Sequence, residues 1–333
     1  MKLLHTRSDS ARVGVAASSK TTPYAKPAES VSLVPGESDG LCSGTAPPRA
    51  GKTMDLTLYA VTRALDVVIG EIWSRRRTRR VSAGRWTRFE SFVDRTADAG
   101  VFALSSGMVM WAWFYLPDRL PREYNRWIRE AAQVDGRLVE ALRRVRCGDF
   151  VYGKETGQAP LLQGMCKDHG WPLEWGDPSK TIPIPCEMVH MGVGSSCELH
   201  AASRFARAFK FALATYLPIN IIMRVRTPSR GAFIQAFKDA ARSSAFLGAF
   251  VSLFYYSVCL SRTRLGPRLI SNDVITPLMW DGGLCVGAGC TMCGWSILIE
   301  AARRRQEVAF FVAPRAAAVL LPRRYEKKVG SSY

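Results

Sequence analysis

Acidic residues and histidine are scarce in this chain. It holds 28 Asp and Glu against 46 Lys and Arg, and only four His. The resulting formal net charge of +18 leaves two partners in view: nucleic acid, or a bilayer flanked by Arg-rich loops. Nine Cys in 333 residues are too sparse for a disulfide scaffold. A secretory leader is not expected from the opening residues, because the apolar stretch Leu3–Leu4 is far too short for its apolar region. There is no nucleophile elbow, no HExxH, no Walker loop and no paired carboxylates in a plausible site. Nothing in the motif content therefore argues for an enzyme. Hydrophobic residues make up 47% of the chain, which excludes disorder throughout. Their distribution decides between the two partners.

Residues 1–54 are rich in Ser, Thr, Pro, Gly and Ala and are read as a disordered basic tail. Lys2, Arg7, Arg12, Lys20 and Lys26 against the single acid Asp9 give its start the bias of a transit peptide, or of a plain basic tail. Beyond it come charge-free runs: Ala99–Pro117 and Ser243–Ser261, 19 residues each, and Gly282–Ile299, 18 residues. A helix crosses ~30 Å of hydrocarbon in ~20 mainly apolar residues, and soluble core helices normally keep a polar face. These runs point to a membrane. Phe205–Met223 is nearly as apolar, with Arg207 and Lys210 near one end. Leu56–Trp73, containing Arg63, Asp66 and Glu71, and Val308–Pro322, containing Arg315, either span or lie flat at the interface. Arg63 and Asp66 are spaced to pair on a helix.

The fold class expected is all-α: a multi-span helical membrane protein with a disordered N-terminal tail and a loop-rich Cys/His segment. Its parts are the tail 1–54, a helical pair within 55–117 (56–73 and 99–117), a surface segment 118–204, and a membrane region 205–325 (205–223, 243–261, 282–299 and 308–322). The bilayer is the principal partner, association of copies into an oligomer a second, nucleic acid none; any small-molecule substrate is unknown. The basic side chains support this topology. Arg75 to Arg95, Arg224 to Arg242 and Arg303 to Arg305 fall on one side if all six spans cross, while 118–204 holds 12 basic and 12 acidic residues. Arg323, Arg324, Lys327 and Lys328 fall on the opposite side. A faint repeat at an offset of 144 places Arg63-Ala64-Leu65 on Arg207-Ala208-Phe209 and 99–117 on 243–261.

Residues 122–146 read as one amphipathic helix, with Trp127, Ala131, Val134, Leu138, Leu142 and Val145 at spacings of three and four. It is expected on anionic headgroups or on its own domain. The Pro- and Gly-rich stretch after it carries Cys186, His190, Cys197 and His200, a C-x3-H-x6-C-x2-H pattern. Four such ligands suit tetrahedral zinc, and Cys166 and His169 form a further pair upstream. Three readings stay open: a metal site, a Cys186–Cys197 disulfide, and packing of unrelated side chains. Gly283 and Gly287 form a GxxxG, expected to let helices approach closely in lipid. Cys290 and Cys293 lie in an apolar run, which argues against a redox or zinc CxxC. Zinc is thus the one cofactor in view.

Several of these pieces together resemble the transmembrane protein 135 family, especially its fungal members. They are Pro185-Cys186 through His190 to Ser196-Cys197, Tyr216-Leu217-Pro218, the Ile297 to Glu300 run followed by Arg303 to Arg305, and Phe102 to Leu116 with Pro117, Leu120, Pro121, Tyr124, Trp127 and Ile128. In that family the Cys-rich block comes first. Here the Leu-Pro-Tyr-Trp block precedes it, which suggests a rearranged branch or a partial gene product. The family is related to mitochondrial protein-import channel subunits and to a small peroxisomal membrane protein. The resemblance implies a non-enzymatic membrane protein of peroxisomes or mitochondria, linked to organelle organisation, transport or lipid handling. The alternative from the residues themselves is a membrane-bound thiol or zinc enzyme using Cys186, His190, Cys197 and His200.

Overall fold

A computed structural model describes residues 53–224, 229–270 and 274–321. The basic tail and its transit-peptide bias, Arg226, and the basic cluster after Leu321 lie outside the described residues. What is described is all-helical. In chain order the helices are α1 Thr53–Ser82, α2 Arg88–Tyr115, α3 Arg122–Ala132, α4 Gly136–Cys147, α5 Ala159–His169, α6 Cys186–Val189, α7 Cys197–Ile222, α8 Arg230–Cys259, α9 Gly266–Leu269, α10 Pro277–Met279, α11 Cys285–Cys293 and α12 Ala302–Leu320.

Each of the six apolar stretches read from the sequence falls mainly on helix, with Pro322 at the end of the last one outside the described residues. Two helical segments, Arg230–Arg264 and Pro277–Ile299, are long and apolar enough to cross a membrane. The α1–α2 corner forms where the basic run meets acids. Thr87 and Glu90 make a reciprocal cap, with the Glu90 amide donating to the Thr87 hydroxyl at 3.2 Å and the Thr87 amide to the Glu90 carboxylate at 3.0 Å. Arg76 and Arg80 close on Glu90, and Arg77 on Asp94. Arg63 sits 4.9 Å from the Phe310 ring centroid, and among the described residues no ion pair joins it to Asp66.

The amphipathic stretch 122–146 is two helices, not one. Gln133 adopts the left-handed conformation (φ 48°, ψ 45°) and closes α3, and the Asp135 carboxylate accepts from the Arg137 amide to start α4. The local break at Gln133–Asp135 overrides a periodicity that ran straight through it.

The core lies where α2, α8, α11 and α12 meet. Phe102 meets Phe246 edge-on at 5.6 Å, and Phe114 stacks on Phe254 at 5.3 Å. Glycines permit the close approach of these helices, but they are not the expected pair. A Cβ at Gly294 would lie 2.4 Å from the Cα of Ala103, and one at Gly107 would lie 2.9 Å from the Cys290 carbonyl. Gly283 instead sits at a kink with φ 147°, against Arg146 and Trp111. Gly287 has ordinary room beside Trp111, so the GxxxG residues do not sit one turn apart on a continuous α-helix.

Many apolar side chains face outward. On α1, Leu56 and Val67 are each 70% exposed, and Ile69 and Ile72 are also exposed. The end of α7 shows Ile219 and Ile222. Unpartnered apolar faces of this extent suit a hydrocarbon medium or a further protein surface.

Candidate metal centre

Three segments bring four metal-ligand side chains together. Pro185 starts the single turn α6, which places Cys186 and His190 four residues apart on one face; the His190 amide donates to the Cys186 carbonyl at 2.9 Å. The chain then reverses through Met191, Gly192 and Gly194, all at positive φ, before the Ser196 hydroxyl accepts from the Leu199 amide and caps α7. Cys197 is therefore the first residue of α7. The last residue of α8, Cys259, supplies the fourth group.

The ligand atoms of Cys186, His190, Cys197 and Cys259 all lie within 4.8 Å of one another. The Cys186 Sγ is 3.3 Å from His190 Nε2 and 3.7 Å from Cys197 Sγ, and Cys259 Sγ is 3.5 Å from His190 Nε2. The imidazole is fixed from behind, with Nδ1 2.6 Å from the Gly194 carbonyl. A proton donated there leaves the Nε2 lone pair facing the three sulfurs, as metal-ligating histidines require. His190, Cys197 and Cys259 are buried, and Cys186 is half-buried.

Of the four residues singled out by spacing, the structure brings Cys186, His190 and Cys197 together and leaves His200 outside the group. His200 stacks on the His190 ring at 4.6 Å and meets Tyr255 edge-on at 5.3 Å. It is fully buried, and neither ring nitrogen has a hydrogen-bond partner. Burial, with Arg204 and His190 nearby, pushes its pKa down to about 3, so it is neutral at physiological pH. Cys186 and Cys197 are free thiols, and their sulfurs stand well beyond the ~2.05 Å of a disulfide. Cys166 packs with Leu162 and Met165 in the same hydrophobic cluster as Cys197 and Cys259, but it is not among the four converging ligand atoms, and His169 stacks on Trp171 at 4.4 Å, so this upstream pair takes no part.

Cys186 and His190 favour each other's charged forms, so a cation binding here would displace a proton from His190. The Cys259 thiol, outweighing the opposing effect of burial, and then His190 draw the Cys186 pKa down to about 4. Burial, followed by the Cys186 charge, pushes Cys197 up. One thiolate is thus favoured strongly, and a bound divalent ion would favour the others.

A second polar knot, which the sequence did not reveal, holds the same loop. Arg262 forms a bidentate pair with Asp281 and donates to the Ile184 carbonyl at 2.9 Å. Tyr152 donates to Asp281 at 2.5 Å and accepts from the Ile184 amide at 3.2 Å. Arg262 and Asp281 are buried. Burial first, and then Asp281, push the Tyr152 pKa up, so its hydroxyl stays protonated. Cys259 carried no local signal either, because it sits inside a charge-free run that reads as lipid-facing.

No family model, curated protein or solved structure matches this chain.

Proposed function

We propose that this chain is a non-enzymatic helical membrane protein whose loop-rich segment is stapled by a zinc ion held at Cys186, His190, Cys197 and Cys259. The observation that carries the reading is the spacing of the donors. With Zn–S of ~2.3 Å and Zn–N of ~2.0–2.1 Å, a tetrahedron has S–S edges of about 3.8 Å and S–N edges of about 3.6 Å. The corresponding separations here are 3.7 Å for Cys186–Cys197, 3.3 Å for Cys186–His190 and 3.5 Å for Cys259–His190. Cys3His is a donor set of closed structural zinc sites, whereas catalytic sites keep a position open for water or substrate. The ligand count therefore favours a staple over the thiol or zinc enzyme. The role of the ion is to tie α6 to the start of α7 and the end of α8.

The membrane assignment is supported by the two long apolar helical segments and the exposed apolar side chains of α1. We further propose at least four crossings, since the stretches on α2 and α7 are close to the same length and polarity. An organellar role, in a peroxisomal or mitochondrial membrane and of the transmembrane protein 135 kind, rests on the resemblance of the Cys186–Cys197 block and the Glu300–Arg305 run.

Metal analysis of the purified full-length protein tests the staple, with one zinc per chain expected. Protein without metal, alkylated at Cys186 and Cys197 without prior reduction, would leave only packing. Alkaline carbonate extraction followed by glycosylation-site mapping tests the membrane reading. The protein is expected to stay in the pellet with four or more crossings, and two or fewer would overturn the multi-span proposal.

A further inference from the structure

Away from the metal centre, a cavity of about 540 Å³ lies among α2, α3, α7, α8 and α12. That volume is in the range of small-ligand sites, roughly 300–1,000 Å³. Its wall is mainly apolar, formed by side chains such as Phe102, Val109, Met110, Phe246, Phe250 and Val312. Its charged side chains lie on or just before α12. Arg304 donates to the Ser243 hydroxyl at 2.6 Å, and Glu300 lies four residues ahead of Arg304.

Glu300 is the anomaly. It is 3% exposed, it lines the cavity, and its Oε2 has no hydrogen-bond partner. Its neighbours do not relieve it. Arg305 donates to the Glu300 main-chain carbonyl, and Arg304 is engaged by Ser243. A buried carboxylate oxygen facing an apolar space is costly unless something donates to it. Glu307 also lines the cavity, but it is exposed and pairs with Arg303, so the wall sets one acid, Glu300, beside one base, Arg304. The unpartnered Glu300 oxygen disfavours a carboxylate or phosphate head, while Arg304 disfavours a cationic one.

We propose that this cavity binds a single-chain amphiphile with an uncharged hydroxyl-bearing head, of the long-chain monoacylglycerol class, whose hydroxyl donates to the free Glu300 oxygen. The chain fills the aromatic and aliphatic part, and the head donates to the buried Glu300 oxygen that has no protein partner. The proposal is independent of zinc at Cys186.

The test is native mass spectrometry of the full-length protein released from detergent micelles. It is titrated with 1-monooleoylglycerol and compared with oleate, oleylamine and phosphatidylcholine. One monooleoylglycerol per chain is expected, bound in preference to the other three. Glu300→Leu should weaken it at least tenfold, and Val109→Trp, which fills the cavity, should abolish it. Without ligand, Glu300→Leu should raise the melting temperature, since it removes a buried carboxyl oxygen that has no partner; a purely structural Glu300 would make the variant less stable. Unchanged affinity in Glu300→Leu, a less stable ligand-free Glu300→Leu protein, or preference for oleate, oleylamine or phosphatidylcholine would each overturn the proposal.

Discussion

Replacing Cys259 by Ser removes the one proposed ligand that no sequence spacing indicated, and so probes the centre as the fold assembles it. The remaining donors, Cys186, His190 and Cys197, still lie within 4.8 Å of one another, but three ligands leave a tetrahedral site open and bind zinc far more weakly. A ligand that binds only the folded state stabilises it by RT ln(1 + [L]/Kd), or about 4 kcal/mol at a free concentration 1,000 times Kd. At roughly 2 °C per kcal/mol for a chain of this size, chelation should lower the wild-type melting temperature by about 8 °C. The assay is thermal unfolding in detergent, with and without a strong chelator, together with zinc stoichiometry. Cys259→Ser should melt near the chelated wild type, respond little to chelator and carry well under one zinc. His200→Ala should keep its zinc, because His200 stacks on the centre without reaching into it. If Cys259→Ser retains one zinc and full chelator sensitivity while His200→Ala loses both, the ligand set is the one spaced C-x3-H-x6-C-x2-H, and the geometry argued above is wrong.

Because His200 is held neutral with its pKa depressed to about 3, the unfolded chain binds the extra proton between its ordinary value near 6.5 and about 3. Stability from this group is fully present above pH 6.5 and falls as pH drops, by at most about 1.4 kcal/mol per pH unit; His200→Phe should flatten that limb of melting temperature against pH. Gly294→Ala should cost about 1–3 kcal/mol in thermal or denaturant unfolding, since its Cβ would meet Ala103 at 2.4 Å. Gly287→Ala, with its nearest neighbour at 3.7 Å, should be close to neutral. Asp281→Ala would strand the buried Arg262 guanidinium and should cost about 3–5 kcal/mol in the same unfolding assay.

How far these features could be read beforehand depended on whether their cause was local. The charge-free runs at 99–117, 243–261 and 282–299 fall on helix because apolar composition acts within a single segment. The α3–α4 break is also local, but it lies in Gln133 and Asp135, whose backbone and capping roles are silent in a count of apolar spacings. The metal candidates divide the same way. Cys186 and His190 share one turn, so their spacing alone placed them together. Between Cys197 and His200 and the centre, spacing had no means to choose. The choice is made by the pairing of α7 with α8, which brings Cys259 to the site from far along the chain. The glycines followed suit: the GxxxG rule assumes a continuous helix, and the kink at Gly283 removes that condition.

The position of Cys259 and Arg262 at the same end of α8 gives the loop its order. Residues between Phe150 and Ser196 carry few regular elements, so helical periodicity cannot bury them. They are held by point attachments instead. Tyr152 and Ile184 bind the Arg262–Asp281 pair, while Cys186 and His190 face Cys259. Only one residue separates Ile184 from Cys186 in the chain. The ion pair therefore sets where α6 begins, and α6 in turn aims Cys186 and His190 at the other two thiols. The proposed zinc centre therefore needs both attachments at the C-terminal end of α8 in place before its four donors converge. That is why a buried charge pair, costly to desolvate by itself, stands directly beside a cluster of sulfur ligands.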